Sequence, residues 1–197
     1  DFCWETWLKP NEWYNQPAAL VSWGTSNLGI DTFGLGVLPD ATGGAAGVIG
    51  FSIILAGYTS TQIATLAPSY WNTWFHVAMA KIGTTINVWA AGTLVAQITG
   101  VTTTLDYATI GGNGHWLFTG PVGDRDESFS NPLGGYFRNM RYVIGDNVYG
   151  TSSTITPPPL TTNISAITGT QYIWWTTPTS PMYYDGSYIP DYDGASW

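Results

Sequence analysis

Apolar and polar residues alternate with a period of two along most of the chain. The pattern starts at once in "DFCWETWLKP", where Phe2, Trp4, Thr6 and Leu8 share one side and Cys3, Glu5 and Trp7 the other. This run predicts a strand ended by Pro10. Further strands are expected over 18–23, in "IDTFGLGVLPD" with glycine breaks at Gly34 and Gly36, and over 48–56. The period is cleanest in 74–99, where strands 74–82, 85–90 and 93–99 are joined by tight turns at Gly83 and Thr84 and at Ala91 and Gly92, a three-stranded antiparallel meander. Residues 115–120 and 136–145 add strands. Only "TSTQIATLAPSYW" reads as a helix, with Ser60 or Thr61 as its cap and Pro68 as its stop, and it is too short to anchor an α/β fold.

In 136–145, strict alternation points Tyr136, Arg138, Met140 and Tyr142 one way and Phe137, Asn139, Arg141 and Val143 the other, so both faces are mixed and the two arginines lie on opposite sides. The Pro-rich stretch 151–160 is stiff and extended, because successive prolines fix φ and lack donors. "TQYIWWTT" offers a last strand, and the end of the chain is rich in Tyr, Pro, Asp and Gly. About ten short strands with Gly-rich turns and no long helix make an all-β chain, a two-layer antiparallel β-sandwich of jelly-roll type. Residues 1–175 form the sandwich and 176–197 an arm that must lie along something else.

Composition narrows the partners. The chain has 197 residues with 5 Lys+Arg against 13 Asp+Glu, a net charge of -8 that repels nucleic acid and has no basic patch to offset it. Only 9% of residues are charged, against an average of about 25%, so Thr, Ser, Asn and Gly build the polar surface. The 11 Trp and 12 Tyr have three readings: interface anchors, sugar-stacking platforms, or the core and rims of a β-protein. The single cysteine, Cys3, excludes an internal disulfide and reads as a small buried hydrophobe. No apolar run approaches the ~20 residues of a membrane helix.

Catalytic chemistry finds little support. A glycosidase needs two carboxylates flanking a cleft, and the one acidic group, Asp124, Asp126 and Glu127, falls in an expected loop. His76 and His115 lack zinc or triad spacing, no nucleophile elbow surrounds a serine, and the glycines at 43, 44 and 47 lack the phosphate-loop pattern. The chain is read as a non-enzyme. "NIS" at 163–165 matches an N-glycosylation acceptor and is treated as a coincidence.

The stretch "WFHVAMAKIGTTINVWAAGTLVAQ" resembles the central signature of the concanavalin A-like lectin/glucanase superfamily, in its laminin G and pentraxin branch. Lys81 stands for the family's basic residue and Trp89 for its second aromatic, while Ala91 and Gly92 replace an Asn-Gly turn. The opening "DFCWETWLKP" and "GGYFRNMRYVIGDNVYG" resemble the family's early and closing strands, and the closing segment is similar to such domains in virion proteins of tailed bacteriophages and other aquatic viruses. Arg141 corresponds to a recurrent closing-strand arginine. In a chain this poor in cations it is expected to pair with one carboxylate, such as Glu5 or Asp106, while its stem covers apolar surface. Trp74, Trp89, Gly92 and Arg141 are thus structural.

The resemblance carries further expectations. Calcium is the cofactor it brings into consideration, at Asp124, Asp126 and Asn131, against the plainer reading of a solvated acidic loop. Tyr70, Trp71, Tyr107 and Trp116 fall near expected loop ends, where aromatic rings can stack on a sugar. The strand that usually precedes the Asp-Phe motif is matched at the other end by "MYYDGSYIP". That tail either closes its own sheet edge, donates a strand to the next subunit, or opens a further repeat. The reading placed first is a virion or extracellular assembly component, a surface, decoration or fibre protein. It joins copies of itself or other virion proteins through Tyr183, Tyr184, Tyr188 and Trp197. The alternative is a carbohydrate-binding module for a host glycan. Neither involves membrane insertion.

Overall fold

A computed structural model describes residues 1–12, 18–23, 33–38, 49–55, 59–66, 70, 72–102, 115–117, 134–146, 148–162, 164–165, 167, 170–174 and 182–184, with side chains described in 1–10, 70, 72–102, 136–143, 145–146, 148–162, 164–165 and 167. These residues are all-β, and no α-helix occurs among them. The strands are β1 (Phe2–Glu12), β2 (Ala18–Trp23), β3 (Phe33–Leu38), β4 (Ile49–Leu55), β5 (Thr59–Leu66), β6 (Phe75–Ile82), β7 (Thr85–Ala90), β8 (Thr93–Ile98), β9 (His115–Leu117), β10 (Gly134–Ile144), β11 (Thr170–Trp174) and β12 (Met182–Tyr184). The chain divides into two units, one holding Asp1–Asn11, Asn72–Thr102 and Gly135–Tyr183, the other the remainder.

The first unit is a sheet of order β11-β10-β1-β6-β7-β8, with β12 also paired to β10. The expected meander is present: β6 pairs with β7 from Val77↔Ala90 to Ile82↔Thr85, and β7 with β8 from Ala90↔Thr93 to Ile86↔Ile98. β1 runs antiparallel to β6 from Phe2↔Lys81 to Leu8↔Phe75. Alternation then sorts the side chains. Phe2, Trp4, Leu8, Phe75, Val77, Met79, Ile86 and Val88 bury one face, while Cys3, Ala78, Ala80, Trp89 and Val143 pack together on the other. Cys3 is free and fully buried, as its strand position implied.

Pro10 does not end β1, which continues to Glu12. Pro10 lies beyond the register with β6, so its missing N–H costs no bond to that strand, and its carbonyl accepts from Asn72 N–H at 2.8 Å. At the far edge, the free side of β8 is met at its start by 153–155: Thr93 bridges Thr154, Leu94 N–H donates to Ser153 O and Ile155 N–H to Gly92 O. This pairing and the register shift opposite Val88 and Trp89 blunt an edge open to strand addition.

The second unit is a sheet of order β5-β4-β3-β2-β9. Gly34 and Gly36 are not breaks. They lie inside β3 in register with Ile54 and Ser52. The expected helix is also corrected, since residues 59–66 form the edge strand β5, paired to β4 from Leu55↔Thr59 to Ile49↔Leu66. The Thr-rich, β-branched run favours extended backbone, and β4 supplies a ladder worth more than an isolated short helix.

Ala91 and Gly92 both have positive φ, 48° and 83°. This is the mirror-image turn suited to a two-residue hairpin, and alanine is strained in it. Replacing exposed Ala91 by Asn, which tolerates that conformation, is expected to raise stability by about 1 kcal/mol in urea unfolding.

Candidate functional site

Three side chains of the first unit, Arg141, His76 and Tyr149, converge on Glu5. β1 places this carboxylate, 0% exposed, between Cys3 and Trp7. Arg141, on the neighbouring strand β10, donates from Nε to Glu5 Oε1 at 2.8 Å and again from Nη2. His76 on β6 donates from Nε2 to Oε2 at 2.9 Å, and the Tyr149 hydroxyl donates to the same oxygen. Nε2 therefore carries the imidazole proton, and the equally buried Nδ1 has no hydrogen-bond partner. Aromatic rings wall the group: His76 meets Trp7 at 5.7 Å and Tyr149 at 6.4 Å, both edge-on.

The electrostatics follow from this geometry. Burial by itself would raise the Glu5 pKa. The His76 hydrogen bond and charge, then Arg141, then the Tyr149 hydroxyl outweigh it, and the net shift is downward from 4.5. Burial first, and the Glu5 charge second, push the Cys3 thiol well above 9.0 and the Tyr149 hydroxyl above 10.0. Both stay protonated, so neither is a nucleophile at neutral pH.

Over this face runs the segment 148–162, followed by Ile164 and Ser165, held by its main-chain carbonyls. Trp89 Nε1 donates to Ser152 O at 2.9 Å, Trp7 Nε1 to Pro158 O at 2.9 Å, Asn139 Nδ2 to Thr162 O at 2.6 Å, and Arg141 Nη1 to Ser165 O at 2.8 Å. Gly92 lets the segment approach closely, because a Cβ there would lie 2.9 Å from Ile155 O and 3.4 Å from Pro157 Cδ.

Of the residues singled out from sequence, Arg141, Trp89 and Gly92 meet at this face, and half-buried Trp74 precedes β6. Arg141 takes Glu5 as its carboxylate. Tyr70 is half-buried, and Trp116 lies in β9 opposite Ser22. Tyr183 and Tyr184 belong to β12, which pairs with β10 of the same chain. Trp71, Tyr107, Asp106, Asp124, Asp126, Asn131, Tyr188 and Trp197 lie outside the described residues. His76, Tyr149, Trp7 and Asn139 were not singled out as anchors. For His76 and Tyr149 the signal was Glu5 itself, a carboxylate at an inward position of an apolar strand that needs several donors at once. Among the described residues no group of three or more His, Cys, Asp or Glu can hold a metal ion, and no helix is long and apolar enough to cross a membrane.

No family model and no curated protein matches the sequence. Solved structures do match in fold. A "putative carbohydrate binding protein" of Bacteroides ovatus aligns over 96% of this chain and 47% of its own, at 16% identity and a TM-score of 0.53. The CBM40 of the Ruminococcus gnavus IT-sialidase aligns over 72% of this chain and 74% of its own, at 16% identity and a TM-score of 0.50. The fold is of the concanavalin A-like lectin type. A heptameric SAP-like pentraxin of Limulus polyphemus aligns over 72% of this chain and 62% of its own, at 14% identity and a TM-score of 0.49. The chain spans less than two thirds of the Bacteroides and Limulus chains.

Two outcomes are expected at the buried centre. Arg141→Met strands the Glu5 charge and costs about 3–5 kcal/mol in urea unfolding, whereas the double variant Glu5→Met/Arg141→Met costs less than the single one. Because the folded pKa of Glu5 lies below 4.5, its contribution is fully present above that pH and is lost as the pH falls through the folded value. Unfolding midpoints measured from neutral to acid pH should fall more steeply in the parent protein than in Glu5→Gln.

Proposed function

We propose that the chain is a non-catalytic glycan-binding domain of the lectin type, displayed outside the cell or on a virion surface. The observation that supports this reading is the likeness in fold over 96% of the chain to the Bacteroides ovatus protein, joined by the likeness to the sialidase CBM40. The first is described as a putative carbohydrate binding protein and the second as the CBM40 of a sialidase. The aromatic residues Tyr70, Trp71, Tyr107 and Trp116 serve in this proposal as stacking platforms for sugar rings.

The assembly reading draws on the low charge and the aromatic tail. Its donor strand begins at Met182–Tyr184, which pairs with β10 of the same chain. Glycan recognition is therefore placed first.

A glycan array probed with and without calcium, using protein shown to be folded by circular dichroism, tests the proposal. Binding to at least one glycan class is expected, weakened about tenfold or more by Trp116→Ala. A folded protein silent on every glycan in both conditions rules the proposal out.

A further inference from the structure

β8 closes one end of the first unit's sheet, so one side of its backbone has no neighbouring strand. Residues 153–155 cover that side at Thr93 and Leu94, through the bridge between Thr93 and Thr154 and the bond from Leu94 N–H to Ser153 O. The cover stops there. Among the described residues, Val95 to Thr99 make no main-chain hydrogen bond outside the ladder with β7. Beyond Thr99 the extended backbone ends, because Gly100 has a φ of 79°. The open stretch of edge therefore runs from Val95 to Thr99.

Proteins commonly guard such an edge with lysine, proline or an inward charge. "VAQIT" carries none of these, and its valine, isoleucine and threonine favour extended backbone. Val95, Ala96 and Ile98 are half-buried, while Gln97 and Thr99 are exposed. Charge decides what can lie against them. No charged residue occurs from Ile82 to Leu105, which holds β7 and β8, or from Val148 to Leu160, which holds the cover. A chain with a net charge of -8 repels its own copies wherever carboxylates face each other, and at this edge two copies meet without opposing charges. The edge equally offers a charged partner nothing to pair with. An antiparallel edge is also its own complement about a two-fold axis.

We propose that β8 pairs antiparallel with β8 of a second copy, joining two first-unit sheets edge to edge. The register follows from parity. A two-fold axis perpendicular to the sheet keeps each side chain on its own face, so the axis passes through a residue and its copy, not between residues. With the open stretch bounded at Leu94 and Gly100, that residue is Gln97. Ala96 then lies opposite Ile98 and Val95 opposite Thr99, with no like charges in any pair. Gln97 already donates from Nε2 to Asn87 Oδ1 at 2.9 Å, and its Oε1 and second amide hydrogen remain for the partner's Gln97. Glycan binding plays no part in this association.

Sedimentation equilibrium of the parent protein is expected to show a reversible monomer–dimer equilibrium. Gln97→Lys sets two ammonium groups against each other at the axis and should raise the dimer Kd roughly tenfold or more. The melting temperature of the dilute variant should stay that of the parent, because the position is exposed and the ammonium can replace the donor to Asn87. A short bis-maleimide should link Gln97→Cys into dimers and leave Thr93→Cys unlinked, since the two copies of position 93 lie roughly 25 Å apart in this register. Cys3, 0% exposed, leaves the parent unlinked as the control. A parent that stays monomeric up to about 1 mM overturns the proposal. So does a dimer equally tight in Gln97→Lys, or equal linking at positions 93 and 97, either of which places the association elsewhere, such as on an exchanged C-terminal strand.

Discussion

A single carboxylate, buried in the first unit's sheet, organises that unit around it. Glu5 receives Arg141, His76 and Tyr149 from three other parts of the sequence. Burying an ion pair is weak as a source of net stability, because desolvation offsets most of the Coulombic gain. Its consequence is specificity. Glu5 cannot be buried unless β1, β6, β10 and the segment after β10 are all in register, so misaligned packings carry a charged group without donors.

The same carboxylate ties down the segment after β10 at Tyr149 and at Ser165. Tyr149 binds Glu5 directly, and Ser165 is reached through Arg141, which holds Glu5 with one side of its guanidinium and the Ser165 carbonyl with the other. Between these points the segment has little regular structure to satisfy its carbonyls, since extended proline-rich backbone makes no internal hydrogen bonds. Two indoles, a carboxamide and the edge of β8 supply the donors. Most of its hydroxyl side chains stay exposed, and Ile164 is its buried apolar anchor. The attachment is therefore largely polar and directional, and it closes one face of the sheet and part of one edge with few apolar residues.

Much of this was legible from sequence where local period and local chemistry agree. The meander from Phe75 to Ile98 follows from alternation and glycine-bearing turns, and the pairing of Arg141 with a carboxylate follows from the scarcity of cations. What escaped was set by tertiary context. Residues 59–66 carry a helix-like cap and stop, but the neighbouring β4 decides their conformation. Pro10 looks like a terminator until its position outside the β6 register is known. The positive φ of Asn139 has no glycine to announce it, although asparagine is among the few residues that tolerate it. The candidate carbohydrate and calcium residues are mostly loop residues, for which period gives no spatial grouping.

A lectin-like fold offers a rigid sheet as a platform, and the Glu5 centre makes that platform one body with the strap that crosses it. Amide hydrogen exchange at Ile155, whose N–H donates to Gly92 O, compared between the parent protein and Glu5→Gln, tests this most directly. The expected result is that Ile155 loses protection by roughly tenfold or more while Val88, in the middle of the meander, keeps its own. Equal protection of Ile155 in both proteins would contradict the claim that one buried carboxylate holds the strap to the sheet.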